Sequence, residues 1–591
     1  MKFRYWLGSL LLGLTLQAAG QSGPALVRGP YLQVITPTSV VVRWRTSLPT
    51  DSRVFFGRTS GSMTQQTTDA KLTQEHIITL TGLQPATTYA YSVGHAGNKA
   101  GDWPAYQFKT ALPKGSTAPF RVWALGDFGI GSENQLAVRD QYLNYTKSRP
   151  ADLWLWLGDN AYCCGRDNEF QQYVFDVYPR SLFGTTPVWP TPGNHDYHDD
   201  VNDFSIDYYK LFSMPQQAEA GGVPSGSQAY YSFDYGNVHF ISLDSFGNEA
   251  GKHRLYDTTG TQVQWLKRDL AANQLPWTIV FFHHPAYTKG SRNSDTEEEL
   301  VLIRQNLLPI LERYNVDLVL NGHSHIYERT YLLKGHTGAA GTFDPAKHIV
   351  SASTGRYDGS VNSCPLVKGQ GTVYVVAGSG GALSWRATDY PHPAMVYANR
   401  DIGGSLILDM NDNRLNVQWL ATDGVVRDQF TMLKNVSKTT STTVALGDTV
   451  RLTASWPGQY SWSEGQTTRS VVVRPPAPGT YRYTVKDQQG CLQDAFTVTV
   501  GAITGLEPQP EEAVLVYPNP ATDQITVELP LKQPADIILR LTDPTGRLVY
   551  QAGYKATTQS RYQVPLPQTT GLYVVTVQLG QRTITRTVMR R

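Results

Sequence analysis

Residues 27–112 alternate between hydrophobic and polar positions and predict a first domain made of short strands. Ser39–Trp44 and Thr87–Val93 are two of these strands, and turn-forming residues separate them. A cluster of turn residues, Pro113–Pro119, follows and is typical of a linker between domains. The pattern therefore favours an all-β domain that ends before residue 120.

The pattern changes after this linker, where predicted strands alternate with amphipathic helices. Ser132 precedes apolar residues at helical spacing and is a suitable N-cap for the first helix. The predicted elements are Arg121–Leu125, Ser132–Lys147, Asp152–Leu157, Asn168–Leu182, Val188–Thr191, the hairpin Tyr230–Asp244, Gln262–Ala272, Trp277–Phe282, Glu297–Tyr314 and Val316–Leu320. This alternation indicates a layered α/β domain. The strands from Val373 to Leu433 are expected to complete its second sheet, so that the domain spans 120–434.

Two further β modules are predicted in the C-terminal part of the chain. Residues 438–501 contain Asp448–Ala454 and Gly479–Val485, which are typical strands of a small immunoglobulin-like sandwich. A linker rich in Pro and Glu follows at Glu507–Glu512. Residues 513–591 then predict a last small β-sandwich module.

The first residues, 1–20, predict a secretory signal peptide. Lys2 and Arg4 precede an apolar run, Trp6–Leu16, and small residues lead to a cleavage site near Gly20. This run is shorter than the roughly 20 residues that span a bilayer, and no later run approaches that length. We therefore expect no transmembrane span and a mature chain that is secreted or held at the cell surface.

Composition and charge exclude several classes of protein. Apolar residues make up 40% and charged residues 17% of the 591 residues, which excludes an extended disordered chain. Lys and Arg number 51 and Asp and Glu 49, so net charge predicts no nucleic acid as a binding partner. Four Cys in so long a chain do not make a disulfide framework, so each domain depends on its own core.

Five segments of the α/β domain share one arrangement, in which an apolar strand runs directly into a short polar cluster. Ligands of α/β proteins bind beyond the carboxyl ends of the strands. We therefore expect five parallel strands to bring the polar side chains to one edge. These side chains are Asp127, Asp159, Tyr162, Asn194, His195, His283, His323 and His325.

This set of side chains is typical of a site for two metal ions. Carboxylates, imidazoles, an amide and a phenol offer mixed oxygen and nitrogen ligands, which suit Fe, Mn and Zn. His323 and His325 alternate along the chain and can contact different ions, while Asp159 is central and suits a bridging carboxylate. Two ions about 3.5–4 Å apart would hold the attacking and leaving oxygens of an in-line displacement.

The five clusters resemble, in order and spacing, the motifs of metallophosphoesterases. They are Gly126–Gly129, Gly158–Tyr162, Gly193–Asp196, Phe282–Pro285 and Gly322–His325. Tyr162 and the runs Tyr231–Asp244 and Gly322–Arg329 resemble the purple acid phosphatase branch, and the match spans about residues 27–430. The resemblance implies a four-layer α/β/β/α domain that is preceded by a fibronectin type III-like sandwich.

Both ends of the chain carry a resemblance of their own. Leu83–Tyr89 resembles the tyrosine corner of fibronectin type III sandwiches, and Trp44 stands where that fold buries a tryptophan, so both Trp44 and Tyr89 are expected in a core. Residues 513–591 resemble the C-terminal sorting domain of the type IX secretion pathway, through Tyr517–Pro520 and the turn Gly571–Tyr573. This implies the type IX machinery as a partner and export through the periplasm.

The resemblance to purple acid phosphatases also implies metal ligands and a mechanism. It places Fe(III) on Asp127, Asp159, Tyr162 and His325, and a divalent ion (Zn, Mn or Fe) on Asp159, Asn194, His283 and His323. The Tyr162 phenolate would give the purple charge-transfer colour. His195 would hold the phosphate and protonate the leaving alcohol, while a metal hydroxide attacks phosphorus in line.

The loop after the fourth motif departs from the family pattern. Plant members carry a pair of His there, whereas Tyr287–Asp295 contains none and has Arg292 about where one is expected. Arg can hold phosphate but cannot donate a proton near neutral pH, so acid catalysis is assigned to His195 alone. Arg292 is then a substrate contact or a solvated loop charge, and His284 is a substrate contact or a structural histidine.

The four cysteines allow more than one pairing. Cys163 and Cys164 follow Tyr162, and one of them could form a disulfide with Cys364. A disulfide between Cys163 and Cys164 is the rarer choice, and Cys491 is expected to stay unpaired.

The predicted function is a secreted binuclear-metal acid phosphatase that hydrolyses small phosphate monoesters. The same ligands serve a metallophosphodiesterase or a nucleotidase, so these enzymes are the alternative. Loops 197–228 and 287–299 would decide between the substrates. A non-catalytic surface-binding protein is a further alternative, and it predicts an incomplete set of ligands.

Overall fold

The predicted signal peptide, residues 1–20, and the predicted linker Glu507–Glu512 lie outside the residues that the structure describes. The computed structural model describes residues 23–249, 253–384, 389–501, 514–529, 531, 533–580 and 582–591. Within these ranges no helix is both long enough and apolar enough to cross a membrane.

One five-stranded sheet forms the N-terminal domain. Its strands are β1 Leu26–Gln33, β2 Val40–Gly57, β3 Gln65–Leu80, β4 Thr88–Gly94 and β5 Tyr106–Lys109. The expected sandwich has two sheets, but here the 18-residue β2 is long enough to pair with β1, β3 and β4 at different points along its length. Trp44 is fully buried and Tyr89 is 5% exposed, so both lie in the core as predicted.

The α/β region contains strands between residues 120 and 433. They are β6 Phe120–Leu125, β7 Leu153–Leu157, β8 Val188–Thr191, β9 Tyr231–Tyr235, β10 Val238–Ser242, β11 Trp277–Phe281, β12 Leu318–Asn321, β13 Tyr327–Thr330, β14 Leu332–Leu333, β15 Ile349–Ser351, β16 Leu366–Val367, β17 Val373–Ala377, β18 Met395–Asn399, β19 Gly404–Asn411, β20 Arg414–Ala421 and β21 Val426–Leu433. Two seven-stranded sheets result. The first sheet has the order β16-β21-β20-β19-β6-β7-β8, and the second has the order β18-β13-β17-β12-β11-β10-β9.

The helices of this region are α1 Glu133–Thr146, α2 Asp167–Phe170, α3 Arg180–Thr185, α4 Asp207–Leu211, α5 Thr261–Ala272, α6 Glu298–Leu302, α7 Leu308–Arg313 and α8 Pro345–His348. Two of them, α1 and α5, match the predicted bounds to within one residue at each end, whereas the other two predicted helices are interrupted. The helix predicted at 168–182 is divided by a π-helical turn, Gln171–Phe175, and by Pro179, which disfavours helical backbone before it. A second π-helical turn, Ile303–Leu307, separates α6 from α7.

Alternate residues of the second sheet pack into two different cores. Ile279 and Leu318 belong to the core that also contains the strands of the first sheet. Their neighbours Val280 and Val319 belong to a second core, together with Trp265 of α5. Because side chains alternate across a strand, one face of the second sheet shares a core with the first sheet and the other face packs on helices.

A buried ion pair joins the two sheets. Arg329 on β13 of the second sheet donates two hydrogen bonds to Asp428 on β21 of the first sheet, with Nε–Oδ2 at 2.6 Å and Nη2–Oδ1 at 2.9 Å. The Tyr327 hydroxyl donates to the same carboxylate at 2.9 Å. The two charged side chains are at most 1% exposed, so each depends on the other for its solvation.

The C-terminal part of the chain is built from strands. They are β22 Thr439–Val444, β23 Val450–Thr453, β24 Ser461–Trp462, β25 Ser470–Val473, β26 Gly479–Lys486, β27 Gln493–Val500, β28 Leu515–Tyr517, β29 Gln524–Glu528, β30 Ala535–Thr542, β31 Leu548–Thr557, β32 Arg561–Pro565, β33 Gly571–Leu579 and β34 Arg582–Arg590. The last seven form a three-stranded and a four-stranded sheet around one apolar core, which includes Ile525, Leu539 and Val575.

Replacing Asp428 by Ala is expected to destabilise the α/β region strongly. The substitution leaves the Arg329 guanidinium buried without its carboxylate, and removal of one partner of a buried pair costs about 3–5 kcal/mol. Chemical denaturation followed by tryptophan fluorescence would measure the loss.

Asp423→Ala is the matched control, because the Asp423–Arg427 pair lies nearby but is 31% and 41% exposed. Exposed pairs contribute at most about 1 kcal/mol, so this variant should unfold close to the wild type. Equal destabilisation by the two substitutions would contradict the role given to the buried pair.

Candidate metal centre

Five strands end in the loops that carry the candidate side chains. These loops follow β6, β7, β8, β11 and β12 and carry Asp127; Asp159 and Tyr162; Asn194 and His195; His283; and His323 and His325, respectively. The strands β6, β7 and β8 are parallel, and so are β11 and β12. The expectation of a single parallel edge is corrected in one respect, because the five strands are divided between the two sheets.

Three side chains converge around the hydroxyl of Tyr162, and together with Tyr162 they are called the Tyr162 group here. The Tyr162 oxygen lies 3.2 Å from Asp127 Oδ1, 3.0 Å from Asp159 Oδ2 and 3.2 Å from His325 Nε2. His325 Nε2 also lies 3.5 Å from Asp127 Oδ1. These four side chains therefore offer oxygen and nitrogen ligands to one small volume.

A second set of donors converges around His283 and is called the His283 group. His283 Nε2 lies 3.2 Å from Asn194 Oδ1, 3.2 Å from His323 Nδ1 and 3.3 Å from Asp159 Oδ2. Because Asp159 Oδ2 also belongs to the Tyr162 group, one carboxylate is shared by both sets. This is the arrangement that a bridging ligand between two ions requires.

Hydrogen bonds to residues outside the His283 group orient the lone pairs of His283 and Asn194 toward the centre of the group. His283 Nδ1 lies 3.0 Å from the carbonyl oxygen of Leu157, which can only accept a proton. The Asn194 amide nitrogen donates to Asp199 Oδ1 at 2.7 Å, so Asn194 Oδ1 faces His283. Electron pairs that face one another at about 3 Å repel unless a cation lies among them, so the donor set fits Fe, Mn or Zn.

The electrostatic environment of His283 also favours a cation at this site. Burial acts to lower the pKa of His283, but the charges of Asp159 and Asp127 outweigh it and raise the pKa to about 9. For Asp159, burial acts to raise the pKa, but His283 above all holds it below its usual range. The site thus favours positive charge, and a proton on His283 competes with a metal ion for the same atom.

The backbone of three candidate ligands is left-handed, and glycines make room for them. Asp127, Asp159 and His323 have φ values of 58°, 50° and 66°, which cost strain in residues other than glycine. A β-carbon at Gly193 would overlap the carboxylate and backbone nitrogen of Asp159, and one at Gly322 would lie 2.5 Å from Asp127 Oδ2. Only glycine permits this close approach of the loops.

His195 lies beside both groups and is accessible to solvent. Its Nδ1 lies 2.7 Å from the carbonyl oxygen of Cys163, and its Nε2 lies 3.8 Å from Asp159 Oδ2. Its backbone N–H donates to Asp159 Oδ1 at 2.9 Å, and about a quarter of its side chain is exposed. The ring is therefore held at the mouth of the site with Nε2 free.

Arg292 and His284, the two other candidates, lie on the side of the His283 group. The rings of His284 and His323 are 4.2 Å apart, and His284 Nδ1 lies 2.9 Å from Ser245 Oγ. Burial lowers the pKa of His284 well below its usual value, so this side chain is neutral. Arg292 Nη1 lies 3.7 Å from Glu297 Oε2, which in turn is 3.5 Å from His323 Nε2.

Several side chains at the site were not predicted from the sequence. Asp199 accepts from Asn194, Glu297 faces His323, and Ser384 lies 2.8 Å from His325 Nδ1. Asp196 accepts from the backbone of Gly193 at 2.8 Å. The acidic residues after His195 are a usable signal for Asp196 and Asp199, whereas nothing local indicates Glu297 or Ser384.

The cysteines pair differently from the expectation. Cys163 forms a disulfide with Cys164, and Cys364 forms one with Cys491, so the predictions of a bridge to Cys364 from the first pair and of an unpaired Cys491 are wrong. The sequence could not predict the second pair, because the two residues are 127 positions apart and only the fold brings them together.

Three parts of the chain match families of known proteins. Residues 27–110 match the purple acid phosphatase N-terminal domain, residues 120–327 match calcineurin-like phosphoesterases, and residues 515–590 match the secretion system C-terminal sorting domain.

Individual relatives agree with these matches. Purple acid phosphatase 23 of Arabidopsis thaliana is 27% identical over 362 residues, which cover 52% of this chain and 75% of the relative. Acid phosphatase type 7 of Danio rerio is 26% identical over 433 residues, covering 67% and 88%. The structure of purple acid phosphatase PPD1 from yellow lupin seeds shares the fold, with a TM-score of 0.54, 19% identity and coverage of 70% and 74%.

These matches confirm the resemblance inferred from the motifs. One part of the chain matches calcineurin-like phosphoesterases, another matches the purple acid phosphatase N-terminal domain, and purple acid phosphatases are among its relatives. More particularly, it combines a phosphoesterase hydrolase domain, for which the family implies a binuclear metal centre, with a type IX sorting domain that implies export to the surface or the medium.

Gly193→Ala is expected to impair metal binding while the fold remains. The new methyl group would push the loop of Asn194 away from Asp159, and loss of ligand orientation lowers metal affinity by about 10–100-fold. Metal per chain, measured by plasma mass spectrometry after dialysis at a limiting metal concentration, would report this.

Gly341→Ala is the control, since a β-carbon there has no neighbour within 4 Å. If Gly193→Ala bound as much metal as this control, the close packing of the two loops would not matter for the site.

Proposed function

We propose that the protein is a secreted binuclear-metal acid phosphatase that hydrolyses small phosphate monoesters. The observation that carries the proposal is the sharing of Asp159 between the Tyr162 group and the His283 group, with His195 beside both. Two ions in such a site supply Lewis-acid catalysis and an activated water for in-line attack on phosphorus.

The proposed metal assignment follows the two groups. Fe(III) would be held by the Tyr162 group, because a phenolate and two carboxylates suit a hard trivalent ion. A divalent ion (Zn, Mn or Fe) would be held by the His283 group, whose two imidazoles and amide oxygen suit a softer ion. The distances of 3.0–3.3 Å from Asp159 Oδ2 to Tyr162 and His283 support its role in both.

We assign protonation of the leaving alcohol to His195. Its Nδ1–H is engaged by the Cys163 carbonyl, so the transferable proton would be carried on Nε2, the atom that faces the site. Arg292 would hold the phosphate through its guanidinium. His284 is only 3% exposed, and this burial supports a contact with His323 more than one with substrate.

We further propose the domain boundaries and route of export that the sequence indicates. The domains are the fibronectin type III-like domain 27–112, a four-layer α/β/β/α catalytic domain 120–434, an immunoglobulin-like module 438–501 and the sorting domain 513–591. The sorting-domain match supports export through the periplasm and the type IX machinery.

Comparison of a monoester with a diester tests the reaction. Purified protein should turn over p-nitrophenyl phosphate with a higher kcat/KM than bis(p-nitrophenyl) phosphate at acid to neutral pH, and Asp159→Asn should lose both activities. A preference for the diester would favour a phosphodiesterase. No turnover of either ester after addition of Fe, Zn or Mn would favour the non-catalytic surface-binding protein.

An absorption spectrum tests the ligation of iron by Tyr162. The iron-containing protein should show a visible charge-transfer band that Tyr162→Phe abolishes. Tyr145→Phe is the control, because Tyr145 is 40% exposed and is not part of either donor group. A protein that contains iron but has no such band would contradict the assignment of Fe(III) to Tyr162, even if phosphatase activity remained.

A further inference from the structure

The shortest contact that orients the ring of His195 is with a backbone carbonyl, while Asp199 Oδ2 lies farther from the same Nδ1, at 3.5 Å. Cys163 O lies 2.7 Å from His195 Nδ1, on the opposite side of the ring from the atom that faces the metal ligands. The direction of Nε2 is therefore set by the orientation of the peptide group between Cys163 and Cys164, because a peptide group is planar and moves as one unit.

The same peptide group is held from its other side by Glu169. The N–H of Cys164, which shares the plane of the Cys163 carbonyl, donates to Glu169 Oε2 at 3.0 Å. Glu169 also accepts from the N–H of Cys163 at 3.0 Å and from the N–H of Arg166 at 2.9 Å. One carboxylate thus accepts hydrogen bonds from three backbone N–H groups of the loop. It thereby fixes the orientation of the peptide group whose carbonyl contacts His195.

These hydrogen bonds form a chain that polarises in one direction. When the N–H of a peptide group donates to a carboxylate, electron density in the peptide group shifts toward the carbonyl oxygen. That oxygen then becomes a better hydrogen-bond acceptor. The Glu169 charge is therefore transmitted to His195 Nδ1–H through one peptide group, although Glu169 is not one of the candidate metal ligands.

The helix that carries Glu169 is itself anchored. Asp167, two positions earlier on α2, accepts from Arg28 at 2.8 Å and from Arg45 at 2.6 and 2.7 Å. The side chain of Arg28 is fully buried. Both arginines belong to strands of the N-terminal domain. This domain therefore fixes the position of α2, and with it the position of Glu169.

The Cys163–Cys164 disulfide does not replace the contact between Glu169 and the loop. It joins two adjacent side chains of the loop and forms no covalent bond to α2. Glu169 connects the loop to the helix, through the three backbone N–H groups described above.

We propose that Glu169 is a positioning residue for His195, which it orients through the peptide group of Cys163 and Cys164. The inference rests on the proposed function, because it needs His195 to protonate the leaving group. General acid catalysis contributes about 10²–10⁴-fold and requires close alignment of donor and acceptor. Loss of Glu169 should therefore affect substrates that need this proton and spare those that do not.

The test compares two phosphate monoesters in Glu169→Ala, Glu169→Gln and the control Asn168→Ala. Asn168 is an exposed residue of the same helix. An unactivated alkyl phosphate needs a proton on its leaving oxygen, whereas 2,4-dinitrophenyl phosphate does not. We expect Glu169→Ala to lower kcat for the alkyl ester by about tenfold or more, out of a general-acid contribution of about 10²–10⁴-fold.

The results expected for metal content and for the other variants distinguish a positioning role of Glu169 from a purely structural one. Glu169→Ala should keep wild-type metal content and turn over the dinitrophenyl ester nearly as fast as wild type. Glu169→Gln should show a smaller loss, because one amide oxygen still accepts, and Asn168→Ala should show none. Equal losses on both esters, loss of metal, or wild-type activity of Glu169→Ala on the alkyl ester would each overturn the proposal.

A double variant completes the experiment. If Glu169 acts through His195, then adding Glu169→Ala to His195→Asn should not lower alkyl-ester turnover further. Additive losses would overturn the proposal. Wild-type protein that hydrolyses no monoester would overturn the proposed function and this inference together, whereas an active wild type with unaffected Glu169 variants would overturn only the inference.

Discussion

A buried carboxylate that must remain ionised, Asp159, is the constraint on which the site depends. It is 2% exposed, and isolation of such a charge from water costs several kcal/mol unless positive charge lies close by. His283 provides part of that charge in the protein alone, and its own pKa rises in consequence. The protein therefore favours positive charge at this point, and bound metal ions would supply more of it than His283 alone.

The position of Asp159 also dictates how the two sheets must meet. Its carboxylate contacts Tyr162 of its own loop, which follows β7 of the first sheet, and His283, which follows β11 of the second, so the relative position of the two sheets must be fixed. The buried Arg329–Asp428 pair provides one such connection between the sheets. Gly193 and Gly322 remove the side chains that would keep the loops apart.

The sequence predicts the members of the site better than the framework that holds them. The strand-to-cluster pattern is local, so Asp127 and its counterparts could be identified from neighbouring residues alone. The division of their strands between two sheets depends on pairing over long distances, which hydrophobic periodicity does not encode. The Cys364–Cys491 disulfide and the contact of Glu169 with the Cys163 loop were missed for the same reason.

The N-terminal domain is part of the functional unit rather than an attachment to it. Arg28 is a buried cation whose neutralising partner, Asp167, belongs to the helix that follows the loop of Tyr162 and Cys163, so the pair holds the domain and this helix together. Arg45 binds the same carboxylate from the neighbouring strand, which fixes its direction as well as its charge. A domain that contributes no ligand to the site can therefore still determine where that helix, and the side chains it holds, are placed.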